Sequence, residues 1–259
     1  MNTFGSDHIR FIDSYFRRDS AQVQEILEQV KGYHITVYTG ITMLKDKRYI
    51  EFLNRYVNCL LIGLESTSDF SLRQVDKGYT GRDIEIAVDN IIKYMNRDIF
   101  LEISIILDLP CKDSEDVKTN YRKIAELKEK LAKEGFRVAF HMNILSVFPN
   151  FGNCCNTKEG LLRSSDNQSD MNLSTGKNYI INILRECGMD RPLQLPSDCV
   201  LRDEDNAHNL LYGYISSDVP VVRYDVNGNV LPSDLELMDE TVMRDILARE
   251  SRRSVNERS

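Results

Sequence analysis

Two hydrophobic patterns alternate along the first half of the chain. Short apolar runs stand at His8 to Phe11, Tyr33 to Thr42, Cys59 to Leu64, Phe100 to Leu107 and Arg137 to Val147. Between them, apolar residues recur three and four positions apart. These are Val23, Ile26, Leu27 and Val30; Tyr49, Phe52, Leu53 and Tyr56; Ile84, Ala87, Val88, Ile91 and Met95; and Val117, Tyr121, Ile124, Leu127 and Leu131. The first pattern predicts strands covered on both faces, the second amphipathic helices. Asp19 with Gln22, Thr80 with Asp83 and Asp113 with Asp116 have the spacing of capping boxes. Gly32 and Gly135 are placed to stop helices. Strict strand–helix alternation implies a parallel sheet with right-handed crossovers. The expected fold is α/β: a partial TIM-like (β/α) barrel of about five parallel strands.

The alternation ends near residue 150. Asn150 to Asn172 crowds Gly, Ser, Asn and Asp together and reads as a long mobile loop. Ser174 is placed to open a helix with Ile180, Ile183, Leu184 and Cys187 on one face. Arg191 to Ser197, with two prolines, is expected to be extended, and Ala207 to Ile215 helical. Asn227-Gly228 between apolar runs predicts a hairpin over Val221 to Leu231. Leu235 to Arg249 predicts a last helix, with a frayed charged tail beyond. The organisation expected is a barrel portion, 1–150, and an extension, 151–259, of loop, helices and hairpin on the accessory or substrate side.

Composition narrows the classes. A net charge of -7 argues against a nucleic-acid binder. No apolar run approaches the roughly 20 residues that cross a bilayer, so no membrane role is expected. A soluble cytoplasmic protein is the expectation. The six cysteines (Cys59, Cys111, Cys154, Cys155, Cys187, Cys199) show no CxxC spacing and predict no metal site. The Cys154-Cys155 pair reads as ordinary free thiols. The basic cluster Lys45, Lys47, Arg48 reads as a solvated helix start.

Candidate chemistry sits where the strands end. Parallel sheets bind ligands at the carboxyl ends of their strands, and Glu65 and Ser66 stand at such an end. Their alternative role is to bond loop backbone. Lys77 would steady a carboxylate, that of Glu65 or of a ligand, or be a solvated loop lysine. Asp13, after the first strand, would meet a ligand or form a turn. His141 and Asn143 alternate onto one face of the fifth strand. If that face is the interior they would bond a ligand, and otherwise His141 is a satisfied buried histidine.

These residues resemble a family. LLIGLESTSDFSLRQVDKGYT looks like the fourth-strand motif of radical S-adenosylmethionine (SAM) enzymes, a G-x-E-S element followed by a spaced Lys-Gly. IILDLPCKDSED is similar to the fifth-strand motif, G-x-P-G-E-T-x-E-D, and IRFIDSYFRRD to the second strand with its acidic end. ILSVFPNFG resembles the sixth strand. The likeness runs from about Ile9 to Gly152. It implies SAM as ligand, with Glu65 and Ser66 on its methionine or ribose portion and His141 and Asn143 on adenine or substrate. It also implies a 4Fe–4S cluster held by three cysteines spaced CxxxCxxC. Those ligands are missing here, since no cysteine precedes Cys59. Asp108 stands where the family has Gly, and Cys111-Lys112 replaces Gly-Glu; Asp108 is expected to narrow the space beside the adenosyl group. The resemblance therefore implies the carboxyl-terminal part of an enzyme that cleaves SAM to a deoxyadenosyl radical, unable to hold its cluster alone. The first strand, left as an open edge, would be covered by a cluster-bearing polypeptide, a second copy or the Val221 hairpin. The alternatives are a non-catalytic scaffold that docks to an enzyme or peptide, and an unrelated parallel α/β enzyme using Glu65.

Overall fold

The computed structural model describes residues 7–11, 20–145, 161–164 and 221–247. Five apolar runs form strands: β1 (His8–Arg10), β2 (His34–Gly40), β3 (Cys59–Glu65), β4 (Phe100–Leu107) and β5 (Val138–Ile144). Each pairs in parallel with the next, in the order β1-β2-β3-β4-β5. Helices fill the connections: α1 (Ala21–Gln29), α2 (Ile41–Leu44), α3 (Lys47–Tyr56), α4 (Asp69–Gln74), α5 (Gly81–Tyr94) and α6 (Ser114–Lys133). A sheet that steps always in one direction, with crossovers of one hand, keeps its helices on one face. That is the arc of a (β/α) barrel rather than a doubly wound sheet, whose order reverses at its middle.

Alternation along the strands sorts the residues. Val37, Leu60, Ile62, Leu101, Ile103, Ile105, Phe140 and Met142 face the helices, joining Leu27, Leu53, Ile84, Ile91, Val117, Tyr121 and Ile124 in one core. The same alternation puts Arg10, Thr36, Tyr38, Cys59, Leu61, Gly63, Glu102, Ser104, His141 and Asn143 on the inner face. Among the described residues no helix is long and apolar enough to cross a membrane.

Local differences from the sequence reading have local causes. Ser20, not Asp19, caps α1, its hydroxyl accepting from Val23 N. The end of the second apolar run coils into α2, and the polar loop after β3 forms α4 behind the cap of Ser68. Asp113 does cap α6, but the Asp116 carboxylate accepts from Lys112 N and the Ser68 hydroxyl. The expected loop contributes a strand, β6 (Leu162–Ser164), antiparallel to β7 (Val221–Tyr224). The hairpin forms as expected from β7 and β8 (Val230–Leu231), with Gly228 left-handed at φ 83°. The last helix is two: α7 (Asp234–Leu237) and α8 (Glu240–Leu247), α8 opening on the carboxylate of Asp239, which accepts from Thr241 N. Asp13, Cys154, Cys155, Cys187, Cys199 and the expected elements at 174–187, 191–197 and 207–215 lie outside the described residues.

The carboxyl-terminal segment is fastened to the end of β4. Asp108 adopts φ 61°, a left-handed conformation that Asp tolerates better than most residues. Its carboxylate accepts from the Ser233 hydroxyl and from Asp234 N at 2.7 Å. In return the Asp234 carboxylate accepts from Asp108 N at 2.8 Å, from Tyr121 Oη at 2.7 Å and from the Arg223 guanidinium. Arg223 also donates to the Leu109 carbonyl at 3.1 Å. Burial and the neighbouring Asp234 charge push the Asp108 carboxyl pKa up, while the guanidinium pulls it down. Removing one partner from a buried charge cluster costs about 3–5 kcal/mol, because the others stay desolvated and unpaired. Arg223→Met should therefore lose stability of about that size in equilibrium urea unfolding. A variant as stable as the parent would show that the segment does not depend on this cluster.

Candidate functional site

The end of β3 sends its last two polar side chains to opposite sides. Glu65 has φ 58°, and the chain turns so tightly after it that Ser66 N donates to Leu64 O at 2.6 Å. The Tyr79 hydroxyl braces this turn by donating to Leu64 O at 2.9 Å. The Glu65 carboxylate folds back over Gly63: a Cβ built on Gly63 would lie 3.1 Å from Oε1. Gly63 thus keeps open the space that the carboxylate occupies on the inner face. Lys77 Nζ donates to Oε1 of Glu65 at 3.1 Å. It is delivered by α4 and by a left-handed turn at Asp76, φ 54°, that returns Lys77 N to the Leu72 carbonyl.

Ser66 goes the other way. Its side chain is 1% exposed and donates to Asn120 Oδ1 of α6 at 3.0 Å while accepting from Ser68 N. Thr67 N and the Thr67 hydroxyl donate to the same Asn120 oxygen at 2.7 and 2.8 Å. The Ser68 hydroxyl donates to Asp116 at 2.9 Å. The Ser66-Thr67-Ser68 loop is a clamp onto α6, and the Ser66 hydroxyl is spent on it.

His141 and Asn143 do share the inner face, and they bring company. His141 Nε2 lies 3.2 Å from Asn143 Oδ1, and Asn143 Nδ2 donates to Ser104 Oγ at 3.1 Å. His141 Nδ1 lies 3.2 Å from Oε1 of Glu102. Ser104 is register partner both to His141 on β5 and to Gly63 on β3. Neighbouring strands are about 4.8 Å apart, so the Glu65–Lys77 pair and the His141 group border one patch. Glu102 was not a sequence candidate. Its signal is an acid inside an otherwise apolar strand, FLEISIIL.

The two described thiols suit burial, not iron. Cys59 opens β3 and Cys111 follows β4; burial, above all, pushes each pKa to about 12. Among the described residues no three His, Cys, Asp or Glu side chains converge to hold a metal ion. The described residues therefore do not fit an iron–sulfur cluster, which needs ionised thiolates in a set. A cleft of about 260 Å³ opens at the amino ends of the strands, lined among others by Lys31, His34, Asn54, Arg55, Asn58 and Asp98. It lies at the opposite end from Glu65, and parallel sheets place their ligand chemistry at the carboxyl end.

No family model and no curated protein matches the chain. Among solved structures it is similar to coproporphyrinogen III oxidase from Escherichia coli, described as a radical SAM enzyme. The identity is 15% and the TM-score 0.43, over 65% of this chain and 37% of that one. It is also similar to the radical S-adenosylmethionine methyltransferase TsrM from Kitasatospora setae, solved with cobalamin and a [4Fe-4S] cluster. There the identity is 14% and the TM-score 0.45, over 90% of this chain and 44% of that one. The chain thus spans less than half the length of either. Its strand order, not these likenesses, carries the fold assignment.

The role of Gly63 is open to test. A double-mutant cycle with Glu65→Gln and Lys77→Met should give a coupling of roughly 0.5 kcal/mol, discounted because Lys77 is 36% exposed. In a Gly63→Ala background the coupling should vanish, since the added methyl displaces the carboxylate. An undiminished coupling there would show that the carboxylate does not lie over Gly63.

Proposed function

We propose that this chain is the carboxyl-terminal, barrel-forming part of a radical SAM-type protein, with its ligand pocket on the inner face at the carboxyl end of β3. The observation that supports it is the inward carboxylate of Glu65, paired with Lys77, at the place of the G-x-E-S element. A SAM amino group would donate to Glu65, and the ligand carboxylate would meet Lys77. His141 and Asn143 would border the adenine or the substrate. Ser66 would act on the ligand only by holding the loop that sets Glu65. When bound beside a reduced cluster, SAM supplies a radical initiator. The described residues do not fit that cluster, so it would come from another polypeptide, docked on the edge of β1 that no described strand covers.

A second reading is a non-catalytic scaffold that keeps the pocket and docks to an enzyme or peptide. The commitment of Asp108 to the Ser233–Asp234 turn and the burial of Cys111 favour it. Both readings share the pocket and differ in reactivity.

Isothermal titration of the purified chain with SAM should show binding that Glu65→Gln and Lys77→Met each weaken about tenfold, the loss of one charge-assisted contact. No heat at millimolar SAM would end both readings. Anaerobic addition of iron and sulfide separates them: acquisition of cluster absorbance and SAM cleavage only with a cysteine-bearing partner supports the enzyme part, and inertness with every such partner supports the scaffold.

A further inference from the structure

The edge strand of the sheet carries a cation that no acid meets. Arg10 closes β1 and lies over β2 on the inner face. Its Nη2 donates to the Tyr38 hydroxyl at 2.5 Å, and its guanidinium carbon is 5.1 Å from the centre of the Tyr38 ring. Its Nε is buried and, among the described residues, donates to nothing. Among the same residues Arg10 forms no ion pair. The inner-face acids, Glu65 and Glu102, stand on β3 and β4 and face Lys77 and His141. A neutral hydroxyl returns only part of what it costs to take a guanidinium out of water. An acceptor for the remaining donors is missing.

The backbone of the same residue faces away from β2. His34 N donates to Asp7 O at 2.8 Å, and Phe11 N donates to Thr36 O at 2.9 Å. Peptide groups alternate sides along a strand, so Asp7, Ile9 and Phe11 bond β2, and Arg10 turns its N–H and C=O to the edge that no described strand covers. Such an edge is a template for a further strand. A small ligand on the sheet face would use the guanidinium alone, whereas an added strand uses both sets of groups. Thr36, Leu61 and Phe100, near Arg10 on that face, are buried, which leaves the edge as the approach. A second copy does not supply the missing acceptor. Edge-to-edge pairing of β1 would bring His8 or Arg10 to the inner face and no acid, and like charges opposed across a pair repel.

We propose that the edge of β1 receives an extended segment of another polypeptide, which bonds the Arg10 N–H and C=O and sets an Asp or Glu side chain against the Arg10 guanidinium. Residues side by side on neighbouring strands are about 5 Å apart, within reach of a carboxylate, and a carboxylate matches the guanidinium fork. That a polypeptide docks on this edge rests on the function proposed above. The requirement for an acid beside Arg10 does not.

The test titrates isotope-labelled full chain with the strand-forming peptide acetyl-Thr-Val-Thr-Glu-Val-Thr-Val-amide, and with versions carrying Gln or Lys in place of Glu. NMR follows the Arg10 amide and the Arg10 Nε–H. The Glu peptide should move both signals and slow hydrogen exchange at the Arg10 amide. The Gln peptide should bind about fivefold more weakly, the worth of one partly exposed ion pair, and the Lys peptide more weakly still. The preference for Glu should fade in Arg10→Gln and with added salt, and survive in part in Arg10→Lys. Unfolding midpoints establish that both variants fold, and the comparison of peptides on the parent needs neither. Equal binding of the Glu and Gln peptides, or no response at millimolar peptide, overturns the proposal. So does acetate, if it moves the Nε–H signal as far as the Glu peptide does while the Arg10 amide stays unprotected, for Arg10 then takes a small anion. No SAM is present in this test. Its failure leaves the pocket at Glu65 standing, and a failure to bind SAM leaves the Arg10 contact standing.

Discussion

Two adjacent parallel strands end on a carboxylate residue whose backbone is left-handed, Glu65 at φ 58° and Asp108 at φ 61°. Each costs about 1–2 kcal/mol relative to an ordinary conformation, so each must be held by its surroundings. At Glu65 the Lys77 ammonium and the Tyr79 brace hold it. At Asp108 the Ser233 hydroxyl and Asp234 backbone hold it. The same backbone device thus serves two ends. One strand turns its carboxylate back over the inner face, and the next commits its carboxylate to fastening the carboxyl-terminal segment.

Both ends lean on one helix. Asn120 of α6 receives Ser66 and Thr67 from the β3 loop, and Tyr121, the next residue, donates to Asp234 of the segment fastened to β4. Consecutive helical residues point about 100° apart, so one turn of α6 supports two separate loops without conflict. Asn120 is buried, yet its side-chain oxygen accepts from the Ser66 hydroxyl, from Thr67 N and from the Thr67 hydroxyl, whose one hydrogen is shared with the Asn120 carbonyl. A buried amide oxygen so used is a structural commitment. It fixes the direction of the β3 loop, and hence which side of the sheet Glu65 faces.

The strands, the α5 capping box and the stops at Gly32 and Gly135 were legible in the sequence because each is local: period-two and period-3.6 patterns and a short run of cap residues determine them. The direction of Ser66 was not. Alternation holds along an extended strand, and a left-handed residue at its end resets the phase, so adjacency to Glu65 said nothing of a shared face. Glu102 was visible as an acid among apolar neighbours, but its partner His141 is on the next strand and its meaning depends on register. The Asp108–Asp234–Arg223 cluster joins positions over a hundred residues apart. No pattern along the chain marks such a contact.

Asp108 shows why a side chain at a strand end has to be read together with its backbone. A carboxylate there, taken alone, suggests an obstructed pocket. The backbone there requires positive φ, which Gly meets by lacking a Cβ and Asp by its tolerance of the left-handed region. Once that requirement is met, the side chain is free to be used elsewhere, and here Ser233 and Asp234 take it up. That use removes an objection to a ligand pocket on the inner face, and it leaves the burden of supplying one to Glu65, Lys77, His141 and Asn143.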